Sequence, residues 1–167
     1  MRYARSRNHR YSLALALQFL CLVRYWRREP ELLRQTTTET IAQCAEHAFP
    51  EVDAMVRGTH GWASAAMGRS QEGIADAIDA VKHMQSLGIP YPSYAITELS
   101  DTYLVADHLA QALDTADEGL GMVAHTGNMD PTSRCLIAEQ RALSRINRVD
   151  EAAIRSICAC DYLRTII

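Results

Sequence analysis

The 167-residue chain is short of chain-breaking residues: 8 glycines and 5 prolines are dispersed along it, and no Gly/Ser linker or low-complexity stretch divides it. No alternation of apolar and polar residues marks a strand, so composition and pattern favour helix over sheet. A Gly-x-x-x-x-Gly-Lys-Ser/Thr loop is missing, which excludes phosphate-loop chemistry. The six histidines (His9, His47, His60, His83, His108 and His125) form no His-Glu-x-x-His and no i, i+4 pair, the usual helical zinc signature. Five cysteines (Cys21, Cys44, Cys135, Cys158 and Cys160) are an odd, scattered set. Cys158-Ala-Cys160 has no matching pair, so neither a disulfide scaffold nor a zinc site is expected. Most of these thiols fall on apolar helix faces, as small hydrophobes do. Ser64, Ser70 and Ser93 lack the context of a hydrolase elbow. We therefore expect no enzyme activity, no cofactor and no metal.

What is present points to one folded domain, 48% hydrophobic and 22% charged, spanning 11–167 behind a basic, flexible leader at 1–10. The net charge of −3 hides an asymmetry: residues 1–30 hold seven arginines and one acid, whereas Ser70 to Asp130 hold ten acids and one base, Lys82. The acidic middle argues against a continuous nucleic-acid track. Arginines ahead of Leu13–Val23 imitate a signal peptide, but Arg24-Tyr25-Trp26-Arg27-Arg28 follows in place of a small-residue cleavage site. The apolar run also falls short of the roughly 20 residues that span a bilayer. A buried first helix, no membrane partner and a cytoplasmic location are expected.

Helix signals recur in pairs. The first helix runs from about Tyr11 to Arg28, and Glu29-Pro30 opens a second that reaches Ala48. Pro50 opens a third that ends near Gly68. Ser70, expected as the N-cap, starts a fourth with Ile74, Ala77, Ile78 and Val81 on one face, stopped by Gly88. Further helices follow over Ser93–Ala106 and Leu109–Ala124. Asp130-Pro131 launches a seventh, and Asn147 to Asp150 separates it from an eighth. Short connections predict antiparallel neighbours.

A longer period overlies the helical one. Glu72-Gly73-Ile74, Gln111-Ala112-Leu113 and Glu151-Ala152-Ala153 lie about 40 residues apart, with Trp62, Tyr103 and Leu143 at corresponding places upstream. Gly73, Ala112 and Ala152 are small residues placed to let paired helices cross closely. Ala77 and Ala80, Ala116 and Gly119, and Ser156 and Ala159 are placed to receive the next hairpin. Together these predict an all-α fold, an α-solenoid of about four antiparallel helix hairpins.

Gly68-Arg69-Ser70-Gln71-Glu72-Gly73, preceded by Gly61-Trp62-Ala63, resembles the tetratricopeptide repeat. With Asp117-Glu118-Gly119-Leu120 and His125-Thr126-Gly127 it is similar to the C-terminal helical repeats of large bacterial regulators that join a nucleotide cyclase or DNA-binding domain to a signalling ATPase. The resemblance covers nearly the whole chain after residue 10. It implies a right-handed superhelix and a place in bacterial signalling or transcription regulation, as a sensor or protein-docking arm. Two features depart from it: the repeats run near 40 residues rather than about 34, and the ATPase motif is missing.

First helices of such hairpins line a concave face, and their phase predicts the binding residues. These are Gln18, Tyr25 and Trp26, then Trp62, then Tyr94, Thr97 and Asp101, and finally Arg134, Arg141 and Arg145. Aromatic and arginine side chains dominate interface energetics, and the arginines match an acidic peptide or a carboxylate. Asp76, Asp79, Asp114, Asp117 and Glu118, on second helices, read as a solvated face. The expected function is docking of a protein or peptide; the alternative is a small-ligand sensor. The apolar last helix (Ile154, Ile157, Tyr162, Leu163, Ile166 and Ile167) has no polar cap after it and predicts self-association into a homodimer.

Overall fold

A computed structural model describes residues 9–89 and 93–126. The expected seventh and eighth helices, and with them the self-association surface, lie outside these residues. The described part holds six α-helices and no strand: α1 (Arg10–Trp26), α2 (Pro30–His47), α3 (Pro50–Ala66), α4 (Ser70–Ser86), α5 (Ser93–Val105) and α6 (Leu109–Thr126). None is long and apolar enough to cross a membrane.

Proline and left-handed residues punctuate the chain. Pro30 and Pro50 occupy the first turns of α2 and α3, where a missing N–H costs nothing and the fixed φ suits the helix. The N-cap of α4 is Arg69, with Ser70 already helical and no side-chain cap bond, so Ser70 does not cap as expected. Arg28, Ala48, Gly68, Gly88 and Asp107 all have positive φ. After α1, α3, α4 and α5 the same pair of backbone bonds closes the helix. At α3, for example, the Gly68 N–H donates to the Ala65 carbonyl and the Arg69 N–H to that of Ser64. This is the Schellman arrangement, which satisfies the last carbonyls. Arg28, Gly68 and Asp107 are spaced by 40 and 39 residues, and Ala48 and Gly88 by 40. The period in the sequence is therefore a period in backbone geometry. Three of these five positions carry a side chain and bear the cost of the left-handed conformation, roughly 1–2 kcal/mol each.

α3 is the central helix. It packs against α1, α2, α4 and α5, and 11 of its 17 residues are buried. Against α4 it lies backbone to backbone. A Cβ built on Gly73 would sit 2.4 Å from the Gly61 carbonyl oxygen, and one on Gly61 would sit 2.5 Å from that of Gly73. Gly73 thus lies at a crossing, as its position in the repeat predicts. Ala112 is fully buried and its carbonyl accepts from Ser100 Oγ at 2.8 Å, so α5 and α6 also approach closely. Ala77 and Ala80 are fully buried on α4, the helix on which α5 packs. Threonines enter the core because their hydroxyls bond back along their own helices: Thr37 to the Arg34 carbonyl, Thr40 to Thr36, Thr59 to Val56 and Thr102 to Glu98.

Candidate binding groove

α1, α3, α4 and α5 together wall a groove of about 310 Å³. From α1 come Gln18, Phe19, Leu22 and Trp26; from α3, Met55; from α4 and the turn after it, Met84 and Ile89; from α5, Tyr94 and Glu98. Gln18, Leu22 and Trp26 follow one another at i+4, as do Tyr94 and Glu98, so each set shares a helix face. Met84 is buried, and Phe19 and Trp26 stand on the rim, 62% and 54% exposed. The Gln18 amide donates to Met55 Sδ at 3.3 Å, which ties α1 to α3 across the floor. Thioether side chains are polarizable and repack readily, and they recur on surfaces that accept varied apolar partners.

Among the described residues that line this space, Glu98 is the carboxylate. It is 3% exposed and lies against α3 where Gly58 has no side chain: a Cβ there would come 2.0 Å from Glu98 Oε2. Its charge is also felt in the core, where it helps to raise the pKa of Tyr25 and of Cys21 after the larger effect of burial.

Three of the ten predicted binding residues (Gln18, Trp26 and Tyr94) meet in this groove. Four others are core. Tyr25, Trp62, Thr97 and Asp101 are all at most 5% exposed, so they do not line an open face. Tyr25 and Trp26 are adjacent, and about 100° of helix rotation sends one ring inward and the other out. Tyr25 and Trp62 pack edge to face with centroids 5.1 Å apart. The Arg28 guanidinium lies 5.3 Å and 5.0 Å from those two rings and donates to Asp101 Oδ2. The Tyr25 hydroxyl donates to the same oxygen at 2.7 Å. Burial, then the Asp101 charge, holds the Tyr25 hydroxyl protonated, its pKa well above the usual phenol value. This cluster locks α1 to α5 around α3. Arg134, Arg141 and Arg145 lie outside the described residues.

Phe19, Leu22, Met55, Met84, Ile89 and Glu98 were not anticipated. The i+4 relation of Glu98 to Tyr94 and of Leu22 to Gln18 was a usable signal. The methionines, on the two helices of one hairpin, become neighbours only through the fold.

Two further clusters of polar side chains lie outside the groove. His60, Glu72 and Asp76 bring donor atoms within 4.8 Å of one another. Thr37 Oγ1 meets His60 Nδ1 at 2.8 Å, and Nε2 lies 3.8 Å from Asp76 Oδ2. Burial, then the charge of Arg34, lowers the His60 pKa to about 4, and Arg57 and Arg69 push the same way. Arg34 and Arg69 already pair with Glu72 at 3.1 and 3.4 Å. Three guanidinium groups around two carboxylates oppose a further cation, so the cluster is a poor metal site. The second, beside Cys44 and Phe49, holds Asp53, Arg57 and His83. There Arg57 satisfies Asp53 with two bonds of 2.6 and 3.2 Å. Cys21 and Cys44 are buried thiols with pKa values raised to about 11, chiefly by burial, and are poor nucleophiles.

Compared with protein-family models and with curated proteins, the chain gives no match.

Proposed function

We propose that this chain is a non-catalytic, tetratricopeptide-like α-solenoid that docks an apolar segment of a partner protein in the groove between α1, α3, α4 and α5. The observation that carries the reading is the groove itself, a space of about 310 Å³ walled by Phe19, Leu22, Trp26, Met55, Met84 and Tyr94. Pockets of this kind, with aromatic and flexible apolar walls, are where interface anchors bury. The solenoid reading is supported by turns that recur every 39 or 40 residues. It is also supported by the contacts: α1 meets α3 and α3 meets α5, while α2 packs on α3 and α4 on α5. That pattern is what stacked hairpins make. The resemblance of the sequence to bacterial regulator repeats supports a role for such docking in signalling or transcription regulation.

The test compares native and Trp26→Ala baits in affinity capture from a lysate of the source organism. Trp26 is 54% exposed, so its truncation leaves the core intact. A specific protein retained by the native bait and lost with Trp26→Ala supports docking; equal retention by both baits overturns the groove as its site. A second reading, a small-ligand sensor, draws on the groove volume, at the lower end of the roughly 300–1,000 Å³ of ligand pockets. A metabolite panel read by thermal shift addresses it. A ligand at 100 times its Kd adds about 2.7 kcal/mol to the folded state.

A further inference from the structure

α1 is apolar on both of its sides, and the fold covers one of them. Ala14, Leu17, Cys21 and Tyr25 are buried. Ser12, Leu15, Ala16, Phe19 and Val23 share the other side, where Phe19 and Val23 are 62% and 43% exposed. No residue from Tyr11 to Val23 is charged, so the strip runs uninterrupted for about 18 Å along the helix. A helix that is apolar all round is normally covered all round. Arginine brackets the strip: residues 1–28 hold seven arginines and no acid. Arg24 and Arg28 turn inward, to the Leu32 carbonyl and to Asp101. Arg10 is exposed, and Arg27, beside Glu29, is 69% exposed. These charges select among the surfaces that could cover α1. A second copy would set arginine against arginine. A protein interface makes about one hydrogen bond per 100–200 Å², and among the described side chains of the strip Ser12 alone offers one. The hydrocarbon of a bilayer takes part in none, and anionic headgroups attract arginine.

We propose that α1 docks on an anionic lipid surface, with Phe19 and Val23 sunk among the upper acyl chains and Arg10 and Arg27 among the headgroups. An interfacial helix of this kind lies in the plane of the surface, its apolar side roughly 5–10 Å deep. It does not cross, and no described helix is long and apolar enough to do so. The proposal goes beyond the groove reading. Phe19 belongs to both surfaces, whereas Val23 is not among the residues that line the groove, so the two readings fail separately.

The experiment mixes the full chain with sucrose-loaded vesicles, of phosphatidylcholine alone or with phosphatidylserine, and measures the bound fraction by sedimentation. The proposal expects the phosphatidylserine vesicles to bind about tenfold or more tightly than the neutral ones, each arginine near the surface contributing roughly a factor of five. Val23→Gln keeps the charge and lowers this binding about fivefold, through the apolar surface that Val23 exposes. Tryptophan emission gives a second measurement. Trp62 is 2% exposed and Trp26, at the end of the strip, is 54% exposed, so a blue shift on adding vesicles reports α1. Should Val23→Gln not fold, the lipid dependence and the blue shift of the native chain decide. No sedimentation with phosphatidylserine vesicles overturns the proposal, as do binding without a blue shift and a folded Val23→Gln that binds as well as the native chain. A native dimer that Val23→Gln turns into a monomer, with no vesicle binding, overturns it as well and assigns the strip to a second copy. None of these results bears on the capture experiment with Trp26→Ala, which tests the groove by itself.

Discussion

Gly73→Ala is expected to destabilise the fold, although alanine is the better helix former. On helix propensity alone, a glycine inside a helix changed to alanine gains roughly 0.5–1 kcal/mol. Against this, the new methyl would lie 2.4 Å from the Gly61 carbonyl oxygen and 2.6 Å from the Ala65 nitrogen. That is about 1 Å short of a comfortable contact for a methyl carbon. Both atoms belong to the backbone of α3, so no rotamer change relieves the clash and the two helices must part. Moving packed surfaces apart by 0.5–1 Å forfeits a quarter to a half of the dispersion energy across them, and overpacking costs about 1–3 kcal/mol. Because α3 is the central helix, the upper part of that range applies, and the net loss is about 2 kcal/mol. For a chain of this size the melting temperature falls by roughly 4–8 °C. Gly121→Ala is the control. A Cβ there meets nothing within 4 Å among the described residues, so the same exchange raises stability by about 0.5–1 kcal/mol. Circular dichroism melts of the two variants beside the native chain decide the matter. A Gly73→Ala melt equal to or above the native one would refute the backbone contact between α3 and α4.

Other predictions follow from the buried clusters. Asp101→Ala, which strips Tyr25 and Arg28 of their shared acceptor, costs about 2–4 kcal/mol in urea unfolding. The figure is below the full value of a buried pair because Arg28 is partly exposed. Tyr25→Phe costs about 1 kcal/mol, and a larger loss from Tyr25→Phe than from Asp101→Ala would contradict the cluster. His60 is neutral in the folded chain down to about pH 4, whereas its ordinary value is 6.5. Between those values the unfolded chain binds more protons, so the stability held above pH 6.5 is lost as pH falls toward 4. Asp76, its carboxyl raised by burial and by Glu72, acts in the opposite sense. His60→Gln should flatten the dependence of the urea midpoint over this range; an unchanged slope would rule His60 out as its source.

The helical class of this protein, its punctuation and its period are local properties, and sequence carries local properties well. Pro30 and Pro50 start helices because a fixed φ and a missing N–H suit a first turn. Gly68 ends one because its φ is +85°. Gly73 was recognisable as a crossing residue because only a small side chain recurs at that place in the repeat. The left-handed turns at Arg28, Ala48 and Asp107 were less legible, since there the backbone bonds that close the helices and the packing of the flanking helices impose a conformation that the residue itself does not favour. The groove was half readable: Gln18, Trp26 and Tyr94 follow from helical phase. Phase specifies an angle around one axis but not the depth at which a neighbouring helix covers it. Tyr25, Trp62 and Asp101 have the residue types of a binding face, yet α1, α3 and α5 converge there and turn them into a buried cluster. Met55, Met84 and Glu98 come from three helices, and Glu98 finds its place only because Gly58, 40 residues earlier, leaves room for it. Sequence alone determined where the helices begin, end and repeat, because backbone geometry and periodicity act over a few residues. Tertiary structure decided which side chains share the groove and which charge lies inside it, because that depends on how far each helix advances over its neighbour.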